Sequence, residues 1–232
     1  MSSSNLDLEI LKTIVRELAP VKDELVFIGG ATISLYIDEP QHVDIRETYD
    51  VDCVVEVTHR AAYEVLSQKL RAIGFSEDMN SQVTCRFKKG EMILDVMPTN
   101  PKILGFSNIW YVDGFKHHVL KKVEDQDIKV FALPYLVASK IEAFKGRGKN
   151  HFNLSHDLED IVTLFDGYSQ IVDEIQKSEP KVRDYLRTEF KNFLSNPQFV
   201  SSLDAHVSDR ANLAGRKAVI LGRMRKIALL LS

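Results

Sequence analysis

Residues 50–57 read DVDCVVEV, with aspartates at positions 50 and 52 opening a run rich in β-branched residues. A short run of this composition is typical of a β-strand. Alternate residues of a strand point to the same face, so Asp50 and Asp52 present their carboxylates side by side, about 7 Å apart along the backbone. Two like charges at this spacing repel, and a divalent cation such as Mg²⁺, which prefers carboxylate and phosphate oxygens, would relieve the repulsion. The segment therefore predicts a strand that carries a cation site.

A pair of glycines lies upstream of this strand. The apolar run 25–28 meets Gly29-Gly30, and an apolar piece with helical spacing follows over residues 31–37. This order predicts a strand, a tight turn and a helix. Gly29 and Gly30 would let the backbone approach a phosphate closely and would expose amide donors at a helix start, where anions are favoured. Taken alone, however, two adjacent glycines are more often a plain turn.

A third acid lies downstream of the Asp50 strand. Residues 82–88 and 91–97 alternate in polarity and are joined by Lys89-Gly90, which predicts a β-hairpin. Asp95 lies in the second run as an acid among apolar residues, and such an acid usually has a partner. If its strand lies beside the Asp50 strand, three carboxylates converge and a two-metal site becomes feasible. The alternative is an ion pair between Asp95 and Arg86 across the hairpin.

The rest of the chain is predicted from its apolar spacing. Strands are expected at 110–120 and 128–131, and helices at 8–18, 59–73, 134–146, 155–165, 171–176, 182–194 and 214–231. The expected fold class is α+β, with a small mixed β-sheet flanked by helices and followed by an all-α helical bundle. The predicted domains are an α/β core over residues 1–132 and a helical domain over residues 133–232, with a nucleotide cleft expected between them.

Composition limits the classes of function. The chain has 232 residues, 44% of them hydrophobic, and a net charge of −3, so nothing global indicates a nucleic-acid coat or a membrane-surface protein. The two cysteines lie in apolar, strand-like stretches, which suits a reducing compartment. No segment approaches the roughly 18 apolar residues that span a bilayer. A cytoplasmic protein without membrane contact is expected.

Taken together, the motifs resemble those of a known superfamily. The stretches VFIGGATISLY and RETYDVDCVV, followed by a distant acid, are similar to the nucleotidyltransferase superfamily of DNA polymerase β-like enzymes. Within it they look most like the AbiEii toxin branch. A second-half pattern also resembles that branch, and it consists of Lys140, Ala143, Phe144, Arg147, Lys149, Asp157 and Asp160. The resemblance covers roughly residues 25 to 165.

The resemblance implies roles for particular residues. Asp50 and Asp52 would bind metal, with Asp95 completing an acidic triad around Mg²⁺ or Mn²⁺. The residues that would contact the nucleotide and its phosphates are Gly29, Gly30, Arg46, Thr48 and Lys140. Two departures weaken the match, since Ala31 replaces the Ser or Thr that many members have after the glycines, and His156 stands where the branch often has a basic residue.

The resemblance also implies an activity and partners. The expected reaction moves a nucleoside monophosphate from an NTP to an acceptor hydroxyl and releases pyrophosphate. The AbiEii branch further implies the toxin of a bacterial toxin–antitoxin pair, with tRNA or protein as acceptor and an antitoxin as partner. Two other classes remain open, namely a non-catalytic nucleotide- or RNA-binding module and a metal-dependent phosphodiesterase or nuclease.

Several candidate residues have a plain structural alternative. Lys140 could be a solvated helix residue, and Asp157 could be a first-turn acid stabilised by the helix dipole. His117-His118 looks like a metal pair, but adjacent strand residues face opposite sides, which argues against it. A polyanion-binding helix and a solvated basic face explain the C-terminal cations about equally well; these are Arg210, Arg216, Lys217, Arg223, Arg225 and Lys226.

Overall fold

The computed structural model describes residues 3–147 and 151–230. Lys149, part of the second-half pattern, lies outside the described residues. The helices of the described part are α1 (Ser3–Glu17), α2 (Arg60–Ala72), α3 (Pro101–Leu104), α4 (Tyr111–Lys116), α5 (Leu133–Arg147), α6 (His156–Gly167), α7 (Ile171–Lys177), α8 (Pro180–Ser195), α9 (Pro197–His206) and α10 (Leu213–Ala228). Its strands are β1 (Leu25–Ile28), β2 (Asp50–Val55), β3 (Ser76–Glu77), β4 (Arg86–Lys89), β5 (Met92–Pro98), β6 (His118–Val123) and β7 (Gln126–Phe131).

The chain divides into two compact units. Unit 1 consists of the residues up to Ser34 together with Glu47–Ala132, and unit 2 consists of Leu35–Arg46 and the residues from Leu133 onward. The predicted domain over residues 1–132 includes residues 35–46, which belong to unit 2 in the structure. The change between α/β and helical structure falls after Ala132, and the predicted division into two domains stays a prediction.

Unit 1 is built on one mixed seven-stranded sheet. The strand order is β3-β4-β5-β2-β1-β7-β6, with β2–β5 and β1–β7 parallel and the other pairs antiparallel. The interior strand β1 is buried along its whole length. Helix α1 packs against β2 and β5, and its buried stripe is formed by Leu11, Ile14 and Val15. Leu18, one residue after the helix ends, is buried as well. The predicted α+β class with a mixed sheet is confirmed.

Unit 2 is helical, as predicted. Ser155 caps α6 by accepting a hydrogen bond from the Leu158 amide at 3.3 Å, which agrees with the predicted helix start at residue 155. The core of unit 2 holds a group of aromatic side chains in mutual contact, namely Phe144, Phe152, Phe165, Phe190, Phe193 and Phe199. Among the described residues, no helix combines the length and apolarity needed to cross a membrane.

Two predicted elements were wrong in type. The helix expected at 31–37 is a 3-10 helix over Gly30–Leu35. The strand expected at 110–120 is mostly helix α4, and β6 begins only at His118. Where α4 approaches Phe131, a Cβ at Gly114 would lie 2.3 Å from the Phe131 ring. The close packing of α4 on β7 therefore requires a glycine, and local periodicity does not reveal that contact.

One strand boundary also differs from the predictions, and one helix is absent from them. The first hairpin strand starts at Arg86 rather than at residue 82. Helix α9 was not predicted, although its start carries a recognisable signal. The Asn196 side chain accepts a hydrogen bond from the Gln198 amide at 2.9 Å, and Pro197 takes the first helical position, which is a common helix start.

Candidate active site

The three predicted acids lie on one face of the sheet in unit 1. Strands β2 and β5 are direct neighbours and run parallel, with Asp52 paired to Asp95 and Asp50 paired to Ile93. Because paired residues of adjacent strands point the same way, the side chains of Asp50, Asp52 and Asp95 share a face. These three residues are called the acid row below. Val51 and Leu94, on the other face, are fully buried.

Gly29 makes room for the second acid of the row. It follows Ile28, which pairs with Asp52 across β1 and β2. Its φ is +87°, and a Cβ there would lie only 2.0 Å from Asp52 Oδ2. An L-residue would therefore be strained in its backbone and would collide with the carboxylate. The glycine is required by Asp52, whereas the phosphate-cradling roles of Gly29 and Gly30 stay predictions.

Arg86 lies against the acid row. It pairs with Asp95 across the β4–β5 hairpin, so its side chain shares their face. Its Nε donates to Asp95 Oδ1 at 2.9 Å, and its Nη2 donates to Asp95 Oδ2 at 2.8 Å and to Asp50 Oδ2 at 2.9 Å. The hydrogen bonds to Asp95, together with the nearby acid charges, raise the pKa of Arg86 above its ordinary value. Arg86 is thus a fixed cation beside the three acids.

The donor set of the acid row suits one divalent cation better than a shared two-metal centre. Among residues 8–147 and 151–230, whose side chains the structure describes, no group of three or more His, Cys, Asp or Glu side chains is arranged to hold one metal ion. Both oxygens of Asp95 accept from Arg86. Asp50 and Asp52 are the acids that would hold a cation, and one or two carboxylates supplemented by phosphates and water are a common Mg²⁺ ligand set. The predicted role of Asp95 as a metal ligand stays a prediction.

Arg46 and Lys140 belong to unit 2, in a buried group of charges. Lys140 Nζ donates to Asp160 Oδ2 at 2.5 Å. Arg46 donates to both oxygens of the same carboxylate, from Nε to Oδ1 at 2.9 Å and from Nη2 to Oδ2 at 3.1 Å. Lys140 and Asp160 are both nearly inaccessible to solvent. Lys140 is therefore not the solvated helix residue of the plain alternative.

A second acid extends this group. Arg147 Nε and Nη2 donate to the two oxygens of Asp157 at 2.9 and 2.8 Å, and Lys140 Nζ lies 3.7 Å from Asp157 Oδ1. The group, called the charge cluster below, comprises Arg46, Lys140, Arg147, Asp157 and Asp160. Its centre is the Asp160 carboxylate, which both Lys140 and Arg46 contact, while the Arg147 side chain at its edge is 74% exposed.

Two pKa shifts within the charge cluster follow from its composition. Burial acts to raise the pKa of Asp160, but the charges of Lys140 and Arg46 outweigh it, so the pKa falls below its ordinary value. Burial acts to lower the pKa of Arg46, and the charge of Asp160 outweighs it and raises that pKa. Both groups are therefore charged at neutral pH, and each holds the other in place.

The structure brings some predicted residues together and distributes others. Asp50, Asp52 and Asp95 form the acid row in unit 1, where Thr48 is buried. Arg46 and Lys140 are in unit 2, and their predicted contacts with a nucleotide stay predictions. The sequence analysis named Asp157 and Asp160 only as part of a resemblance, and it named Arg86 only as an alternative partner of Asp95. Arg86 could have been found from the hairpin register, which places it opposite Asp95.

Most of the C-terminal cations have partners inside unit 2. Arg216 is buried against Asp166, with its Nε donating to Oδ1 at 2.6 Å. Arg223 donates to the carbonyl oxygens of Phe165 and Asp166 and to Glu39. These two arginines bind α10 to other parts of unit 2. They are therefore neither part of a polyanion-binding surface nor part of a solvated basic face.

The adjacent histidines do not converge on one point. The Nδ1 of His117 lies 2.9 Å from the Asp113 carbonyl oxygen, and the Nδ1 of His118 lies 2.9 Å from the Phe115 carbonyl oxygen. Each ring is thus engaged with a different backbone carbonyl of α4. The geometry gives no reason to read them as a metal pair.

Comparison with known proteins finds similarity among solved structures. No family model matches the chain, and no curated protein matches it in sequence. Among solved structures, the chain is similar to the crystal structure of an antigenic nucleotidyltransferase-like protein from Paracoccidioides brasiliensis. The two share 20% sequence identity with a TM-score of 0.47, over 88% of this chain and 96% of that chain.

Proposed function

We propose that the protein is a metal-dependent nucleotidyltransferase that moves a nucleoside monophosphate from an NTP to an acceptor hydroxyl. The acceptor oxygen forms a bond to the α-phosphorus, the bond from that phosphorus to the bridging oxygen breaks, and pyrophosphate leaves. The proton of the acceptor hydroxyl passes to solvent water or to the released pyrophosphate. This reaction needs negatively charged ligands for a cation, room for phosphates and a means of removing one proton.

One observation carries the proposal, namely the acid row itself. Two neighbouring parallel strands place Asp52 beside Asp95 with Asp50 on the same face, and Gly29 keeps a Cβ out of the space that Asp52 occupies. Packing alone does not require three acids side by side, because like charges at this spacing repel. A divalent cation bound between the acids would offset this repulsion, which is why we assign the acid row as the metal site of the enzyme.

Within this proposal, the residues have different tasks. Asp50 and Asp52 supply the carboxylate oxygens that hold Mg²⁺ or Mn²⁺ together with the phosphates of the NTP. When bound, the cation neutralises charge on the triphosphate and so stabilises the leaving pyrophosphate. Asp95 completes the row. Arg46 and Lys140 are proposed as contacts of the triphosphate, as the sequence resemblance implies.

The biological setting is a finer part of the same proposal. Resemblance to the AbiEii branch suggests the toxin of a toxin–antitoxin pair, with tRNA or protein as the nucleotide acceptor and an antitoxin as partner. These suggestions rest on the motif around Asp50 and Asp52 and on the second-half pattern.

The proposal is tested by incubating the protein with α-labelled NTPs, Mg²⁺ and either total RNA or cell extract. We expect label on an acceptor and release of pyrophosphate. Asp52→Asn removes a cation ligand worth several kcal/mol and should lower the transfer rate by about 100-fold or more. Asp125→Asn is the matched control, because it neutralises an exposed acid of the β6–β7 turn in the same unit, and it should leave transfer unchanged.

Other outcomes would assign the protein to another class. Tight NTP binding without pyrophosphate release would indicate a non-catalytic nucleotide- or RNA-binding module. Cleavage of RNA without NTP consumption would indicate a phosphodiesterase. Transfer by Asp52→Asn at the wild-type rate would contradict the assignment of the acid row.

A further inference from the structure

Arg86 makes more hydrogen bonds with the acid row than a single ion pair would. Its guanidinium donates to both oxygens of Asp95 and to one oxygen of Asp50. The side chains of Arg86 and Asp95 are 20% and 7% exposed, so water screens this contact poorly. A two-point contact between guanidinium and carboxylate is also directional, so it fixes the orientation of the Asp95 side chain.

The contacts of Arg86 limit how many cations the row can hold. Both oxygens of Asp95 already accept hydrogen bonds from the Arg86 guanidinium. A second cation at Asp95 would have to displace a two-point Arg86 contact that is shielded from water. Asp50, by contrast, gives only its Oδ2 to Arg86 and its side chain is 35% exposed.

We infer that Arg86 is a built-in cation that takes the place of a second metal, so that the acid row binds one divalent cation through Asp50 and Asp52. Arg86 is then a positioning residue that holds Asp95 and Asp50 in place and sets the metal stoichiometry. This inference rests on the proposed function, because it concerns the same cation site. It gives Asp95 a role as the anchor of Arg86 and not as a metal ligand.

The inference is tested by counting bound Mn²⁺ without nucleotide, using the loss of the free-ion signal in electron paramagnetic resonance. Wild-type protein should bind one Mn²⁺, and Asp52→Asn should lose it. Asp95→Asn should keep one, because the amide can still accept a hydrogen bond from Arg86 and Asp95 is not a ligand. Arg86→Met should bind two, since it frees both oxygens of Asp95.

Three variants separate the effect of Arg86 from effects on folding or on general charge. Arg86→Lys keeps the charge and should keep one Mn²⁺. The double variant Arg86→Met/Asp95→Asn leaves no unpaired carboxylate at position 95 and should return from two Mn²⁺ to one. Lys88→Met removes a cation two residues along the same strand, where Lys88 pairs with Asp78 at 2.8 Å, and should also bind one.

The outcomes distinguish this inference from the proposed function. Two Mn²⁺ on wild-type protein, or the same count for Arg86→Met and wild type, would overturn the role of Arg86 and leave nucleotidyl transfer standing. The expected counts without any transfer of label would overturn the transferase and leave the role of Arg86 standing. Absence of Mn²⁺ binding in wild type and every variant would overturn the role of Arg86, while the labelled-NTP assay alone decides the transferase.

Discussion

The acid row of unit 1 and the charge cluster of unit 2 both join carboxylates to guanidinium groups, but they differ in burial. The acid row has three acids and one arginine, and the Asp50 side chain is 35% exposed. At the centre of the charge cluster, Lys140 and Asp160 are almost fully enclosed. The row is thus partly open to solvent, while the centre of the cluster is closed to it.

The difference in burial decides what each group can exchange with solvent. Under the proposed function, the partly open Asp50 takes up a metal ion from solution. An enclosed ion group has no such supply, and it holds together only while its own acids remain ionised, because an uncompensated buried charge is costly. The acid row is therefore the place to look for ligand effects, and the charge cluster is the place to look for large stability effects.

Removing an acid from the charge cluster should give the largest effect. Asp160→Asn leaves Lys140 and Arg46 with one fewer carboxylate in an enclosed site, and we expect it to lower the free energy of unfolding by about 3–5 kcal/mol. Lys140→Met leaves Asp160 with its two-point contact to Arg46, so it should cost less, about 1–3 kcal/mol. Urea denaturation followed by circular dichroism measures both values.

The control for this prediction is Asp204→Asn, the same chemical change in unit 2. Asp204 pairs with Lys217, and its side chain is 55% exposed. An exposed pair contributes about 0–1 kcal/mol. Equal costs for Asp160→Asn and Asp204→Asn, or a larger cost for Lys140→Met than for Asp160→Asn, would contradict the central place of Asp160 in the cluster.

An intermediate effect is expected when Gly29 is replaced. Gly29→Ala adds a Cβ that would meet Asp52 Oδ2 at 2.0 Å, whereas Gly105→Ala, at a similar φ of +82°, meets nothing within 4 Å. Gly105→Ala should cost about 1–2 kcal/mol for its backbone conformation alone, and Gly29→Ala should exceed that by about 1–3 kcal/mol. Thermal unfolding measures the difference.

Metal binding provides a second measurement on the same pair of glycine variants. Since Asp52 would have to move, Gly29→Ala should also weaken Mn²⁺ binding, while Gly105→Ala should not. Unchanged Mn²⁺ affinity in Gly29→Ala would show that the position of Asp52 does not depend on this glycine.

The smallest effect is a pH dependence from Asp160. Its pKa in the folded protein lies below the ordinary value of 3.8, so its ionised form stabilises the fold at pH values above that. This contribution is lost as the pH falls through the folded-state pKa; the decline should begin at roughly pH 5, and the ordinary pKa limits it to at most about 1 kcal/mol by pH 3. The difference in unfolding free energy between wild type and Asp160→Asn should shrink over this range, and a constant difference would contradict the shift.

The sequence by itself determined most of the secondary structure and the chemistry of the acid row. Alternation places Asp50 and Asp52 on one face of β2, and an isolated acid in an apolar strand marks Asp95. Helical spacing indicated α1, α2, α5, α6 and α8 with small errors at their ends. These features are local, since each depends on residues within a few positions of one another.

Tertiary structure decided what local spacing cannot express. That β5 lies beside β2, with Asp52 opposite Asp95, is a matter of strand pairing between residues 43 positions apart. The same applies to the two glycines that close contacts require. A Cβ at Gly114 would collide with Phe131, and a Cβ at Gly29 would collide with Asp52. The place of Lys140 among buried charges also depends on residues from three separate segments. Contacts between distant segments supply these constraints, and a one-dimensional pattern contains no record of them.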